Sequence, residues 1–251
     1  MIVFHTDLDN TLIYSVRREI GLEKICVEIY QGREVSFMTK RSYALLQQVK
    51  EHVLVVPTTT RTKEQYERIS FRNELSPYAL VCNGGMLLVN GESDPSWYEE
   101  SLQLIADCDE VLAEAEKLLN EDPDVCFEVR NINKLFLFTK SEEPTRTITR
   151  ITEAVDLAKV EVFSNGSKVY VVPKALSKGM AVERFRKRMA STVSIAAGDS
   201  RFDVPMLEEA TIAIAPEALA KEEQLPESAV VIPKESQYAE GLLKYILEKV
   251  V

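Results

Sequence analysis

The chain has 251 residues, 45% of them hydrophobic and 28% charged, and a formal net charge of −10. That length allows one large domain or two modest ones, with a composition ordinary for a soluble globular protein. The acidic balance argues against non-specific binding to nucleic acid or anionic lipid, and no apolar run approaches the roughly 20 residues of a membrane span.

Ile2-Val3-Phe4 predicts a short buried strand. No basic segment followed by an apolar one is present there, so the start does not read as a signal peptide. The strand runs through His5-Thr6 into Asp7-Leu8-Asp9-Asn10-Thr11-Leu12. Two carboxylates two residues apart repel each other, so a divalent cation sits between them, or one acid stays protonated, or both. The plainer alternative is a solvated acidic turn. An EF-hand loop is excluded, because Leu12 stands where it needs glycine and Arg18 where it needs glutamate.

Ile25 to Tyr30 and Glu34 to Met38 flank Gln31-Gly32-Arg33 and predict a β-hairpin. Thr39 caps a helix from about Lys40 to His52 with an apolar face of Tyr43, Leu45, Leu46 and Val49. Val53 to Val56 reads as a buried strand ending in Pro57-Thr58-Thr59-Thr60-Arg61. Thr62 and Gln65 form a capping box for a helix to about Phe71. Tyr78 to Cys82 is a further strand, closed by Asn83-Gly84-Gly85. Short apolar strands alternating with helices predict a parallel sheet covered on both faces.

The pattern then changes to αββ, twice. A helix from about Glu100 to Asn120 precedes strands Val125 to Val129 and Lys134 to Thr139, joined through Asn131-Ile132-Asn133. A second helix, about Pro144 to Ala158, precedes strands Val160 to Phe163 and Lys168 to Val172, with the turn at Asn165-Gly166. This predicts an α+β module at 87–172. The first pattern returns with a helix from Lys178 to about Met189, capped by Ser177. A strand from Val193 to Ala197 follows, ending in Gly198-Asp199-Ser200-Arg201-Phe202-Asp203. Strands at Ile212 to Ile214 and Val230 to Ile232 and a helix from Tyr238 to Val250 complete it. The expected architecture is α/β: a Rossmann-like, doubly wound parallel sheet from 1–86 and 173–251, interrupted by the α+β insertion.

Cys26, Cys82, Cys108 and Cys126 are scattered with no C-x-x-C, and read as reduced core residues of a cytoplasmic protein. His5 and His52 are the only histidines, which argues against a Ser-His-Asp triad or a histidine zinc site. His5 reads as a packed residue. Ligands of open parallel sheets bind beyond the carboxyl ends of the strands. Asp7/Asp9/Thr11, Thr58 to Arg61, Lys178 and Asp199/Asp203 all fall there. They supply a nucleophile, metal-binding carboxylates, hydroxyl and backbone donors and positive charge, the inventory for phosphoryl transfer with a metal. Neither G-x-x-x-x-G-K-[ST] nor G-x-G-x-x-G occurs, so P-loop and dinucleotide sites are excluded.

DLDNT at 7–11, TTR at 59–61, SKG at 177–179 and GDSRFD at 198–203, in that order and around a twice-repeated αββ insertion, resemble the haloacid dehalogenase (HAD) superfamily of Mg²⁺-dependent phosphatases. Among them the chain looks like the Cof-type and sucrose-phosphatase-like members with a large α+β cap. The resemblance covers essentially the whole chain. It implies Asp7 as the nucleophile that forms an aspartyl-phosphate and Asp9 as the acid/base. It implies Thr59 and Lys178 as partners of the transferring phosphoryl group. Asp7, Asp9 through its backbone carbonyl, and Asp199 would hold Mg²⁺, with Asp203 in support. Thr60 stands where the second motif often has glycine, and Phe202 where the fourth often has asparagine. Thr58 is the alternative to Thr59 if the register shifts by one.

The expected activity is hydrolysis of a small phosphorylated metabolite, a sugar phosphate or a relative. A phosphotransferase or phosphomutase of the same fold and a non-catalytic binding module are the alternatives. Thr60, Arg61 and Asn83 are the expected substrate contacts, with Arg130 and Lys134 as further candidates. The partner expected is a small-molecule phosphate ester, with no nucleic acid or membrane; nothing in the sequence sets an oligomeric state.

Overall fold

The structure, a computed structural model, describes residues 1–234 and 237–251. Its contacts divide the chain into two compact units, Met1–Asp94 with Lys178–Val251, and Pro95–Ser177.

The first unit opens with β1 (Ile2–Thr6), in which Val3, Phe4, His5 and Thr6 are all fully buried. Next come β2 (Tyr14–Ser15) and the expected hairpin, β3 (Lys24–Tyr30) and β4 (Arg33–Thr39). These form a separate antiparallel sheet in the order β2-β4-β3. Thr39 caps α1 (Lys40–Val49) by accepting the Ser42 N–H at 2.9 Å. β5 (Leu54–Pro57) follows, then α2 (Lys63–Tyr66), which carries the expected Thr62/Gln65 capping box, and α3 (Arg72–Leu75). The single helix expected to Phe71 is therefore cut short. Ile69 instead bridges Glu28 of β3, and the Ser70 N–H bonds the Val27 carbonyl at 2.9 Å, so the hairpin edge takes that backbone.

β6 (Tyr78–Val81), β7 (Met86–Val89) and β8 (Glu92–Ser93) form an antiparallel three-stranded sheet. The strand expected at 78–82 is thus not a member of the main sheet. It meets the end of that sheet where Thr58 bridges Leu80 and the Thr59 N–H donates to the Leu80 carbonyl at 2.8 Å. The pairing of β7 and β8 with β6 keeps residues 86–93 in the first unit.

In the second unit the expected long helix is two, α4 (Pro95–Leu104) and α5 (Asp109–Glu121), separated by a 3₁₀ turn at Ala106–Cys108. Asp109 and Glu110 open α5, where acidic side chains suit the positive end of the helix dipole. β9 (Arg130–Ile132) and β10 (Phe136–Lys140) turn through Asn133 and Lys134, both at positive φ, as a type I′ turn requires. The strand expected at Val125 to Val129 shrinks to a single bridge between Val125 and Ser141, with the Cys126 N–H on the Lys140 carbonyl at 2.9 Å. The Thr139 hydroxyl donates to the Phe127 carbonyl at 2.7 Å, where a ladder would use a backbone N–H. α6 (Pro144–Ala154), β11 (Val160–Asn165) and β12 (Lys168–Pro173) complete the unit. Its sheet runs β11-β12-β10-β9, and Leu112, Ala115, Leu119 and Ile151 of the helices close over Leu137, Val160, Val169 and Val171.

The chain re-enters the first unit as α7 (Lys178–Met189), β13 (Val193–Ala197) and, after a 3₁₀ turn at Arg201–Asp203, α8 (Val204–Glu208). β14 (Ile212–Pro216), α9 (Glu217–Glu222), β15 (Val230–Ile232) and α10 (Tyr238–Lys249) follow. The main sheet is parallel throughout, in the order β15-β14-β13-β1-β5, so β1 and β13 are interior neighbours and their C-terminal ends open side by side. Among the described residues no helix is long and apolar enough to cross a membrane.

Candidate active site

Just beyond β1 the backbone folds back on itself: the N–H groups of Leu12 and Ile13 both bond the Leu8 carbonyl, at 2.9 and 2.8 Å. Leu8, Thr11, Leu12 and Ile13 are fully buried and pin the loop, which leaves Asp9 exposed and Asn10 half-buried. Asp7 is buried and its N–H bonds the Ala197 carbonyl of β13 at 2.9 Å, whereas the Asp9 side chain is 52% exposed. The loop thus separates the two carboxylates into different surroundings.

Lys178, the first residue of α7, is 1% exposed. Its Nζ donates at 2.6 Å to Asp7 Oδ1 and at 2.6 Å to Asp203 Oδ1. Burial works against its charge, but the charges of Asp203 and Asp7 and their hydrogen bonds outweigh that and hold its pKa above the ordinary lysine value. Asp203 Oδ2 accepts the N–H groups of Asp199 and Ser200, at 3.1 and 3.0 Å, and the Ser200 hydroxyl at 2.8 Å. Both oxygens of this fully buried acid are therefore occupied by protein donors, which suits it to orient its neighbours. The close packing also explains two glycines. A Cβ on Gly179 would overlap the Pro205 carbonyl, and one on Gly198 would overlap the Asp203 side chain.

Oxygens of Asp7, Asp199 and Asp203 lie within 4.8 Å of one another. One lysine cannot balance three carboxylates. Burial, followed for Asp7 by the charges of Asp203 and Asp9 against the opposing pull of Lys178, raises the Asp7 pKa to about 7. Burial and the charges of Asp7 and Asp203 raise Asp199 to about 8. An all-oxygen donor set with this surplus of negative charge fits a hard divalent cation. Asp7 and Asp199 have the oxygens to offer it.

The second strand end is organised by Arg61. Its Nε and Nη2 grip both oxygens of Asp9, at 2.7 and 2.8 Å. The same Nη2 reaches Glu28 Oε2 at 3.0 Å, and Nη1 bonds the Gln65 carbonyl at 3.3 Å. Burial disfavours the guanidinium charge, but hydrogen bonds and attraction from Asp9 and Glu28 lift its pKa above the ordinary value. Thr59 is fully buried and its hydroxyl accepts the Arg61 N–H at 3.2 Å, which leaves its own proton to donate elsewhere. Thr58, the alternative, spends its hydroxyl on the Val56 carbonyl at 3.2 Å and lies 3.3 Å from His5 Nδ1. His5 is packed as expected: it meets Phe185 edge-on at 5.5 Å, and burial lowers its pKa to about 3.

Asn83 is buried at positive φ and its N–H bonds the Thr59 carbonyl at 2.9 Å, tying the loop after β6 to the loop after β5. Thr60, next to Thr59 in the loop after β5, is half-buried. Asp7, Lys178, Asp199 and Asp203 thus form one cluster, Asp9 and Arg61 a pair, and Thr59 and Asn83 a backbone-linked rim. Arg130 and Lys134 belong to the second unit. Glu28, Ser200 and Tyr238 escaped the sequence reading. The Tyr238 hydroxyl lies 3.0 Å from the Gly198 carbonyl and 2.8 Å from that of Ile214, fixing the start of the GDSRFD loop.

A family model described as sucrose-6F-phosphate phosphohydrolase matches residues 1–246. No curated protein is similar enough in sequence to count as a match. Among solved structures, the sucrose-phosphatase of Synechocystis sp. PCC6803, in complex with sucrose and phosphate, is similar over 98% of this chain and 96% of its own, with a TM-score of 0.69 and 14% identity. A haloacid dehalogenase-like hydrolase from Bacteroides thetaiotaomicron is similar over 99% of both chains, at TM-score 0.61 and 14% identity. One from B. subtilis is similar over the whole of both, at 0.60 and 14%. At such identities these structures speak to fold.

Proposed function

The chain belongs to the sucrose-6F-phosphate phosphohydrolase family of the HAD superfamily, a hydrolase acting on phosphate monoesters, and on that footing we propose that it is a Mg²⁺-dependent sugar phosphatase working through a phosphorylated Asp7. The observation that carries this reading is the Lys178 ammonium held at 2.6 Å from both Asp7 and Asp203 beside Asp199. A buried carboxylate fixed by a cation at a strand end is a positioned nucleophile that needs no histidine to activate it.

Asp7, Asp199 and the backbone carbonyl of Asp9 would hold Mg²⁺, which when bound offsets the charge of the phosphate ester and orients it. An Asp7 oxygen forms a bond to phosphorus as the bond to the leaving oxygen breaks, and Asp9 gives that oxygen a proton. Asp9 then takes a proton from water, whose oxygen attacks phosphorus and releases Asp7. Lys178 keeps the Asp7 carboxylate in one orientation through both steps. The Thr59 hydroxyl donates to a phosphoryl oxygen, and Asp203 holds Lys178 and the Asp199 loop. Thr60 and Asn83 border the place where the phosphoryl group would sit.

The test is release of inorganic phosphate from a panel of hexose, pentose and disaccharide phosphates with Mg²⁺ and with excess EDTA. Hydrolysis of a sugar phosphate that EDTA abolishes is expected. Full turnover in EDTA, conversion of one sugar phosphate into an isomer without phosphate release, or no turnover of any ester would contradict the reading.

A further inference from the structure

Glu28 belongs to none of the four motifs, yet it reaches the Asp9 side of the site. A regular strand alternates its faces, but in β3 both Val27 and Glu28 are buried while Ile29 and Tyr30 are exposed. The ladder with β4 shifts register between Cys26 and Glu28 and again before Ile29. Such a bulge re-aims one side chain, here an acid, to the inner face. At 5% exposure the Glu28 carboxylate accepts the Ser36 hydroxyl at 2.6 Å and Arg61 Nη2 at 3.0 Å. Its backbone is held too, through the bridge to Ile69 and the Ser70 to Val27 hydrogen bond.

Arg61 consequently serves a fixed, buried carboxylate and an exposed one. Its side chain is only 12% exposed, so a guanidinium without a partner there would be a costly buried charge. Asp9 grips Arg61 with both oxygens, and to transfer a proton it must free at least one of them. We propose that Glu28 is a positioning residue of the hydrolysis: it anchors the Arg61 guanidinium so that Asp9 can leave it, exchange a proton with the leaving oxygen or with water, and return. Without the Glu28 charge, Asp9 is the one carboxylate left on Arg61 and is held there. The inference rests on the assignment of Asp9 as acid/base.

The experiment compares Glu28→Gln, Asp9→Asn and the parent protein in single-turnover and burst kinetics with Mg²⁺. The substrates are the best sugar phosphate from the panel and p-nitrophenyl phosphate, whose leaving group needs no proton. For Glu28→Gln the first step on the sugar phosphate should slow by about 10- to 100-fold, approaching the 10²–10⁴ that loss of the acid itself costs. Its KM and its p-nitrophenol burst should stay close to those of the parent. Glu28→Asp, which keeps the charge, should recover part of the loss. Equal slowing of both substrates, or of neither, would overturn the role of Glu28. Should Glu28→Gln fold poorly, the cycle with Arg61→Gln decides: in that background Glu28→Gln should no longer alter the ratio of the two rates, and a full further loss would overturn the proposal. A leaving-group dependence in Asp9→Asn but not in Glu28→Gln sinks this inference alone. None in Asp9→Asn sinks the acid/base assignment with it.

Discussion

Asp7 and Asp9 are two residues apart and differ in almost every physical respect. Asp7 is buried and fixed by Lys178; Asp9 is half in solvent and gripped by Arg61. The spacing of the pair was readable in the sequence, but the division of surroundings came from Leu8 and Leu12, whose burial turns the loop. The raised pKa values have a measurable consequence. Unfolded, Asp7 and Asp199 lose their protons near 3.8; folded and metal-free, near 7 and near 8. Between those limits the folded state binds more protons than the unfolded one, so the stability these two groups contribute is fully present below about pH 4 and is lost as pH rises through 7 to 8. A bound divalent cation replaces those protons. Melting in EDTA should therefore occur at lower temperature at pH 8 than at pH 5, and Mg²⁺ should raise the melting temperature more at pH 8. A metal-free protein that becomes more stable toward pH 8, with no larger gain from Mg²⁺ there, would contradict this.

Elements with local punctuation were legible: the hairpin around Gly32, the Thr39 cap and the Thr62/Gln65 box are each set by neighbours in sequence. What misled was competition from distant groups. The Thr139 hydroxyl captures the Phe127 carbonyl, and the strand expected at 125–129 stops after the bridge at Val125. The edge of β3 takes the backbone of Ile69 and Ser70 and shortens a helix. The bulge that turns Glu28 inward breaks the period by which a strand is read, so its burial was not legible. A motif glycine can be tested at this scale against one outside the motifs. Gly198→Ala would push a methyl group into Asp203, and overpacking of that kind costs about 1–3 kcal/mol. The expected result is a lower melting temperature together with weaker Mg²⁺ binding by calorimetry. Gly166→Ala, at a hairpin tip of the other unit with open space around it, should leave Mg²⁺ binding unchanged. Equal ion affinity in Gly198→Ala and the parent would detach that loop from the metal site.

Over the whole molecule, the order of elements carried most of the information. The return of an α/β pattern after two αββ repeats marked an insertion, and the four motifs each fell at the end of a strand or the start of a helix. Substrate contacts were less legible: nothing in the sequence shows that Arg61, an expected contact, also bonds Asp9 and Glu28. The net charge of −10 sets a further expectation, since the substrate is also an anion. No long-range attraction draws it in, so kcat/KM should not fall as ionic strength rises from about 0.01 to 0.15 M, over which the screening length shrinks from about 30 to 8 Å. A steep fall would reveal steering by a local basic field. The central claim is that Asp7 carries the phosphoryl group while Asp9 moves protons, and intact-protein mass spectrometry after rapid acid quench tests it most directly. Asp7→Asn and Asp9→Asn are mixed with Mg²⁺ and p-nitrophenyl phosphate, and the mass of each is read. Asp9→Asn should gain the mass of one phosphoryl group, mapped to Asp7, because its second step is slowed by about 10²–10⁴, and Asp7→Asn should gain none. A phosphoryl group on Asp7→Asn, or none on either variant while the parent turns over, would contradict the account.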